Sequence, residues 1–164
     1  RSTSVEQFQE FKKVQKSNLG LELPEDFVAL NATYGSGTFC AGEFWLFNPF
    51  VPVFEVHADV LCHGFRRFQE NEGRDLYPFD IFPKRPGIIP WGMHAEGHTF
   101  FWYTDGPSCC WPVVLWHFDL ESWKTWQLTT TEFLVGLLRQ EINVPIWSTE
   151  AQESLTLNFE SGTP

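Results

Sequence analysis

Residues 88–119 read IIPWGMHAEGHTFFWYTDGPSCCWPVVLWHFD and contain two dense apolar runs, Thr99–Thr104 and Val113–Phe118. Gly and Pro bound these runs, and aromatic and β-branched runs with such boundaries are typical of β-strands. Apolar side chains occupy odd and even positions alike, so that Phe100 points to one face of its strand and Phe101 to the other. Because strands of this kind need cover on both faces, we predict that both lie near the middle of a sheet.

Helical patterns lie on both sides of this stretch. Pro24, followed by two acidic residues, is typical of a helix start, and Gly35 is a natural stop. Thr129 and Glu132 have the spacing of a capping box. We predict helices over Ser4–Ser17, Pro24–Tyr34, Val53–Gln69 and Thr130–Ile142, and strands over Phe39–Phe47 and Ser122–Leu128. Strands grouped in the middle of the chain and helices towards its ends predict the α+β class.

The charge of the chain restricts its direct partners. The chain has 164 residues, enough for one domain, and a formal net charge of -10 at pH 7. Nucleic acid and anionic membranes repel such a protein, so neither is expected to bind it directly. A basic protein partner suits it, because complementary potentials steer association. The sequence contains no run of about eighteen apolar residues, so no membrane-spanning helix is predicted.

The four cysteines are Cys40, Cys62, Cys109 and Cys110. None forms a C-x-x-C pair, and four cysteines in a domain of this size are too few for a disulfide scaffold. The adjacent Cys109 and Cys110 cannot readily bridge each other without backbone strain. We therefore expect reduced thiols and a cytoplasmic protein.

The sharpest candidate for a metal site is His94-Ala95-Glu96-Gly97-His98. Two histidines four residues apart can ligate zinc when they share one helix. However, Ala95 stands where a metalloprotease helix has glutamate, and Gly97 before an apolar strand favours a turn. We expect a polar hairpin with solvated histidines at this position.

Two other groups of residues resemble parts of catalytic sites. His57, Cys62 and His63 form one possible cluster, but His57 and Cys62 are five residues apart and do not share one helix face well. The Gly-Ser-Gly run at 35–37, which precedes Cys40, lacks the G-x-S-x-G frame of a nucleophile turn. The sequence supports no reaction, no cofactor and no metal, and it favours a binding protein over an enzyme.

Five short motifs together resemble the SUKH superfamily, of the Smi/Knr type that includes bacterial immunity proteins. They are a Leu-Pro-led helix start, a glycine-rich turn, two pieces of a strand pair and a closing helix, found at Leu23–Phe27, Tyr34–Gly37, Ile89–Gly92, Glu96–Phe100 and Thr130–Leu134. The resemblance covers about residues 4–142. Each motif is short and structural, so the combination carries the resemblance.

The resemblance implies a SUKH-like α+β domain over residues 1–145, with a central mixed, mostly antiparallel sheet covered by helices and no catalysis. An acidic, Ser/Thr-rich tail follows at residues 146–164. Many bacterial members are immunity proteins, which neutralise toxins, often nucleases, by direct binding. Fungal relatives regulate cell-wall synthesis. The acidic charge fits the first role, because a nuclease that binds phosphates presents a basic cleft.

The expected contacts with a basic toxin domain are acids around a polar loop and exposed aromatic anchors. They are Glu70, Glu72, Asp75, Asp80, Trp111 and Trp123. Two other functions remain open on the sequence alone. One is a regulatory scaffold in signalling or cell-wall control. The other is an enzyme or small-ligand binder that uses His94, His98 or Cys40.

Overall fold

A computed structural model describes residues 20–35, 37–39, 42–51, 53–144 and 160–161. Its elements in chain order are α1 (Glu25–Tyr34), β1 (Gly37–Phe39), β2 (Phe44–Leu46), α2 (Val53–Glu72), β3 (Ile88–His94), β4 (Thr99–Tyr103), a 3-10 turn (Ser108–Cys110), β5 (Val113–His117), β6 (Ser122–Trp126), α3 (Thr130–Leu138) and β7 (Glu160–Ser161). The helix predicted over Ser4–Ser17 lies outside the described residues. So does most of the tail, of which Glu160 and Ser161 join the sheet.

The strands form one sheet in the order β6-β5-β4-β3-β2-β1-β7. All the pairings between these described strands are antiparallel, and a single parallel bridge joins Ile81 to Ile88. Both central apolar runs form interior strands, because β4 and β5 each have a neighbour on either side. The predicted α+β fold with a mostly antiparallel sheet is confirmed.

Helices and loops cover the sheet on both faces, as the apolar pattern of β4 required. On one face the ring of Phe27 in α1 lies 4.7 Å from that of Trp102, centroid to centroid. On the other face the ring of Phe65 in α2 lies 4.9 Å from that of Phe101. Burying one such phenyl ring stabilises the fold by about 1.5–3 kcal/mol. Successive apolar side chains of β4 therefore contribute to two hydrophobic cores, one on each face of the sheet.

Two helix ends follow the predicted local rules. The Thr129 hydroxyl accepts the Glu132 backbone N–H, and the Glu132 carboxylate accepts the Thr129 N–H, which confirms the capping box at α3. Gly35 follows α1 with φ 78, a left-handed conformation that favours glycine. Its N–H donates to the Asn31 carbonyl at 2.7 Å. These local bonds begin α3 and end α1 where the sequence indicates.

Helix α2 is longer than predicted and extends over 20 residues to Glu72. Glu70 and Glu72 therefore lie in its last turn, and their assignment to a polar loop was wrong. Charged residues on the solvent side of a helix do not interrupt it, and Gly73, with φ 87, follows its end. On the opposite side of α2, Cys62 is buried, and burial raises the pKa of its thiol to about 12.

Membrane-spanning helices have a characteristic length and hydropathy. A spanning helix needs about twenty predominantly apolar residues. Across the described ranges of the chain, none of the helices is long and apolar enough to cross a membrane.

Candidate functional site

The two tryptophans that were predicted as exposed anchors for a partner do not have exposed side chains. Trp111 is buried, and its indole N–H donates to the Gly106 carbonyl at 3.1 Å. Trp123 is half-buried, packs against Trp116, and donates its indole N–H to the Leu76 carbonyl at 2.7 Å. Both rings already have their packing and hydrogen-bond partners within the fold. The expectation that these two side chains are exposed was therefore wrong, whereas their contact with a partner stays a prediction.

The four acids predicted to contact a partner divide into two kinds. Glu70, Glu72 and Asp75 are exposed at the end of α2 and in the following loop. Asp80 instead forms ion pairs with Arg74 and with Lys84. The hydrogen bonds from Arg74 and then Lys84 hold the pKa of the Asp80 carboxyl below its usual value. Two cations therefore compensate the charge of Asp80, whereas the other three acids keep an exposed position.

A second acidic region lies at one end of the sheet. Glu43 directly precedes β2, Glu96 lies in the β3–β4 turn, and Asp119 lies in the β5–β6 turn. Antiparallel pairing brings these three segments to the same end. Their side chains are 51%, 65% and 62% exposed respectively. The sequence separates these carboxylates by up to 76 positions, yet the sheet assembles them into one rim.

Three buried histidines lie beneath this rim. His94, His98 and His117 are 2%, 0% and 6% exposed. The ring centroids of His98 and His117 are 4.3 Å apart, and those of His94 and His98 are 5.4 Å apart. The predicted hairpin turn is present, since β3 ends at His94 and β4 begins at Thr99. The expectation that its histidines are solvated was wrong, because the neighbouring β5–β6 turn packs over them.

Backbone N–H groups decide which tautomer each of the three neutral rings adopts. The N–H groups of Glu96, Phe118 and Leu120 donate to the Nδ1 atoms of His94, His98 and His117, at 3.3, 3.0 and 3.2 Å in that order. An Nδ1 atom that accepts a hydrogen bond carries no proton, so each neutral ring holds its proton on Nε2. The bond from Phe118 to His98 ties the β5–β6 turn to the β3–β4 turn, whereas the other two bonds each lie within one turn.

The Nε2 atoms of two of these histidines face the acidic rim. His94 Nε2 lies 3.6 Å from a Glu43 carboxylate oxygen. His98 Nε2 lies 3.5 Å from Glu96 and 3.6 Å from Asp119. Burial lowers the pKa of both histidines, and for His98 the neighbouring imidazoles lower it further, although the carboxylates act in the opposite direction. Both rings are thus neutral at pH 7, and they leave the charge of the carboxylates uncancelled.

The donor set of this cluster does not suit a metal ion. Ligand atoms of His94, Glu96 and His98 lie within 4.8 Å of one another, as do those of His98, His117 and Asp119. An imidazole that binds zinc through Nε2 normally donates its Nδ1–H to an acceptor. Here each Nδ1 faces a backbone N–H, which is itself a donor. Binding of zinc through these Nε2 atoms would place two donors against each other.

The other residues considered from the sequence do not form a chemical site in the described part of the chain. His57 and His63 are exposed on α2, whereas Cys62 is buried on the side of that helix facing the sheet. Cys40 lies outside the described residues. Sequence separation on α2 therefore translates into separate helix faces, as predicted.

An apolar groove of about 470 Å³ lies between α2 and the β1–β2 side of the sheet. Trp45, Phe47 and Met93 contribute to one wall, and Phe54 and Leu61 of α2 contribute to the other. No pattern in the sequence indicated this groove, because its walls come from elements that are distant along the chain. Trp45, 38% exposed, gives the groove an open aromatic border.

Two exposed apolar residues at the acidic rim were also missed. Phe118 is 56% exposed and Leu120 is 62% exposed, on either side of Asp119. Phe118 was assigned to a strand, but β5 ends at His117 and the next residue begins a turn. Large apolar side chains within a turn next to acids were the available signal. We define the turn-end surface as Glu43, Glu96, Phe118, Asp119 and Leu120.

The fold and this surface define a single-domain α+β protein whose sheet has helices on both faces. A family model described as "SMI1-KNR4 cell-wall", SUKH_6, matches residues 9–134, which is more than half of the chain. The chain belongs to this SMI1-KNR4 family, and the predicted SUKH membership is confirmed. Comparisons with curated proteins and with solved structures found no match.

Proposed function

We propose that this chain is a non-catalytic protein-binding domain that acts as an immunity protein and neutralises a basic toxin domain by direct binding. The observation that carries the proposal is a set of exposed carboxylates with which no Lys or Arg of the described residues forms an ion pair. Glu43, Glu96 and Asp119 stand over neutral histidines, and the formal net charge is -10. Membership of the SMI1-KNR4 family supports a protein-binding role of the immunity type.

Electrostatics links this charge to the proposed partner. A toxin that cleaves nucleic acid needs a basic cleft to bind phosphates. An acidic protein that enters the cleft competes directly with the substrate, and its field accelerates the encounter. Binding should therefore weaken as salt concentration rises, because exposed charges are screened within about 8–10 Å at physiological ionic strength.

The state of the buried histidines supports a non-catalytic role. A general base needs a free lone pair within reach of its substrate. In His94 and His98 the Nδ1 lone pair accepts a backbone N–H, and Nε2 carries the proton. Neither ring is therefore poised to remove a proton, and the proposal requires no cofactor. Cys62, Cys109 and Cys110 are free thiols, which agrees with a proposed cytoplasmic location in the toxin-producing cell.

The direct test begins with a search for a toxin gene beside the gene for this chain and uses the toxin domain that such a gene encodes. The purified chain should bind this domain with one-to-one stoichiometry and suppress its activity, with an affinity that falls steeply between about 50 and 200 mM salt. Co-expression should protect a toxin-sensitive cell. Normal toxin activity with a molar excess of the folded chain would overturn the proposed function.

A regulatory scaffold is the second candidate, and the description of the family as "cell-wall" favours it. Such a module would bind endogenous proteins of signalling or cell-wall control. Affinity capture from lysate of the source organism, with mass spectrometry, separates the two functions. A toxin domain as the captured partner supports neutralisation, whereas endogenous enzymes or regulators support the scaffold.

A further inference from the structure

Phe118 and Leu120 project from the β5–β6 turn between acidic side chains. More than half of each side chain is exposed, and Asp119 lies between them in the chain. An interface commonly combines buried apolar anchors with a polar rim, and a few anchors supply most of the binding energy. The turn-end surface has this arrangement, with anchors and rim on adjacent turns.

The anchors are held in place before any partner arrives. The backbone N–H of Phe118 donates to His98 Nδ1 at 3.0 Å, and that of Leu120 donates to His117 Nδ1 at 3.2 Å. The Phe118 ring also lies against Gly97, where an added Cβ would be 3.6 Å from the ring. Because the turn is already ordered, binding through it loses less conformational entropy than binding through a mobile loop.

A buried donor directed at the rim is a second, independent feature. The side chain of His98 is 1% exposed, and its Nε2 makes no hydrogen bond. The carboxylates of Glu96 and Asp119 lie 3.5 and 3.6 Å away from it. An inward movement of about 0.6 Å by either carboxylate would bring the atoms to ordinary hydrogen-bond distance. A partner that pressed on the rim would complete this bond.

We propose that the turn-end surface is the docking face for a basic protein, with Phe118 and Leu120 as apolar anchors and Glu43, Glu96 and Asp119 as contacts for Lys and Arg side chains. The identification of that basic protein as a toxin rests on the function proposed above. The docking face itself rests on the geometry of the surface. His98 and His117 act as positioning residues for the two anchors.

The acidic end of α2 is a weaker candidate for the same contact. Glu70 and Glu72 are exposed, but the nearest large apolar residue with comparable exposure, Phe68, stacks on Tyr77 at a centroid distance of 5.8 Å. Two cations pair with Asp80 in the following loop. This region adds to the long-range field, but among the described residues it has no free apolar anchors beside its charges.

The first test measures affinity for the toxin domain named above by calorimetry. Phe118→Ala with Leu120→Ala should weaken binding by about tenfold or more, since a few apolar anchors supply most of the binding energy of an interface. The control, Val56→Ala with Val60→Ala, removes apolar residues of similar exposure, 58% and 61%, from α2. It should leave affinity within about twofold. Circular dichroism must first show that each variant is folded.

The charge test compares the two acidic regions. Glu96→Gln with Asp119→Asn should reduce affinity by about tenfold and flatten its salt dependence. Glu70→Gln with Glu72→Gln removes the same number of charges and should reduce affinity by less than about threefold. If toxin is neutralised but the larger loss follows the α2 variants, the docking face is overturned while the proposed function stands.

The second test does not depend on a toxin. A synthetic amphipathic peptide of Lys and Leu is titrated into the ¹⁵N-labelled full chain, and amide shifts are followed. The largest shifts are expected at Gly97, Phe118 and Leu120. Shifts concentrated elsewhere, or absent, would overturn the docking face. Shifts at the turn-end surface without toxin neutralisation would support the docking face and count against the proposed function.

Discussion

The protein carries two acidic regions that differ in construction. At the end of α2, Glu70, Glu72 and Asp75 are close along the chain and stand on a solvent-facing helix turn and loop. At the turn-end surface, the carboxylates come from three separate turns and enclose buried histidines. The first region is a local feature of the sequence, whereas the second exists only after the sheet has formed. Charge density along a chain therefore locates acids, but the topology decides which acids belong to one surface.

The two regions should differ most in how much the free energy of unfolding falls when one histidine is replaced by alanine. His98→Ala should destabilise the fold by about 2–3 kcal/mol, because it leaves the partly buried Phe118 N–H without its acceptor and removes the packing of a buried ring. His63→Ala on the exposed side of α2 is the matched control and should change stability by less than about 0.5 kcal/mol. Urea denaturation at pH 7.5 measures both. Equal losses would show that the histidine cluster contributes no special stability.

The pH dependence of stability should originate at the turn-end surface. His94 faces Glu43 and Glu96. His98 faces Glu96, Asp119 and the other two histidines. In the folded state the pKa values of His94 and His98 are lowered, chiefly by burial. The unfolded chain therefore binds more protons, and stability present at pH 7.5 is lost as pH falls below about 6.5.

Urea midpoints at pH 7.5 and 5.5 measure this loss. His98→Asn retains an acceptor near the Nδ1 position but cannot titrate, so its loss of stability on acidification should be smaller. Glu70→Gln with Glu72→Gln should leave the loss between these two pH values unchanged. A wild-type midpoint that does not fall would contradict the assignment of neutral buried histidines.

Replacement of glycine by alanine should change the stability of the fold in opposite directions at two positions. Gly97 has φ 89 in the β3–β4 turn, so Gly97→Ala should destabilise by about 1–2 kcal/mol. Gly64 lies inside α2 with open space around it, so Gly64→Ala should stabilise by about 0.5–1 kcal/mol. Thermal unfolding of the two single variants provides the measurement. The prediction would be contradicted if both melting temperatures rose or both fell.

The smallest effect is expected at the acidic end of α2. Glu70 and Glu72 lie in the last turn of the helix, which contains no basic residue and where the helix dipole disfavours anions. Replacing both with Gln should therefore raise stability by a few tenths of a kcal/mol at low salt. The gain should disappear in about 1 M NaCl because of screening. Destabilisation would mean that these carboxylates make contacts that the fold requires.

The sequence predicted the elements whose signals are local. The Thr129–Glu132 capping box located the start of α3, and the two-faced apolar pattern of Phe100 and Phe101 located an interior strand. Both signals depend on residues that are close along the chain. Their interpretation required no knowledge of which strands pair.

The candidate site depends on contacts between distant segments, which a single sequence does not reveal. His94 and His98 were expected in water because their hairpin looked polar, but the β5–β6 turn lies over it. Trp111 and Trp123 were expected at the surface, but carbonyls of nearby loops accept their indole N–H groups. Polarity along the chain could not show which groups another turn would cover.

Chemical labelling of Cys62 can report whether α2 is packed on the sheet, because this cysteine lies on the buried side of the helix. Alkylating reagents react with the thiolate, and burial both raises the pKa of Cys62 to about 12 and blocks access to its sulfur. Modification of Cys62 therefore requires α2 to separate from the sheet, whereas the exposed Cys109 and Cys110 require no such opening. The labelling rate of Cys62, read by peptide mass, consequently measures how often one hydrophobic core opens while the overall population remains folded.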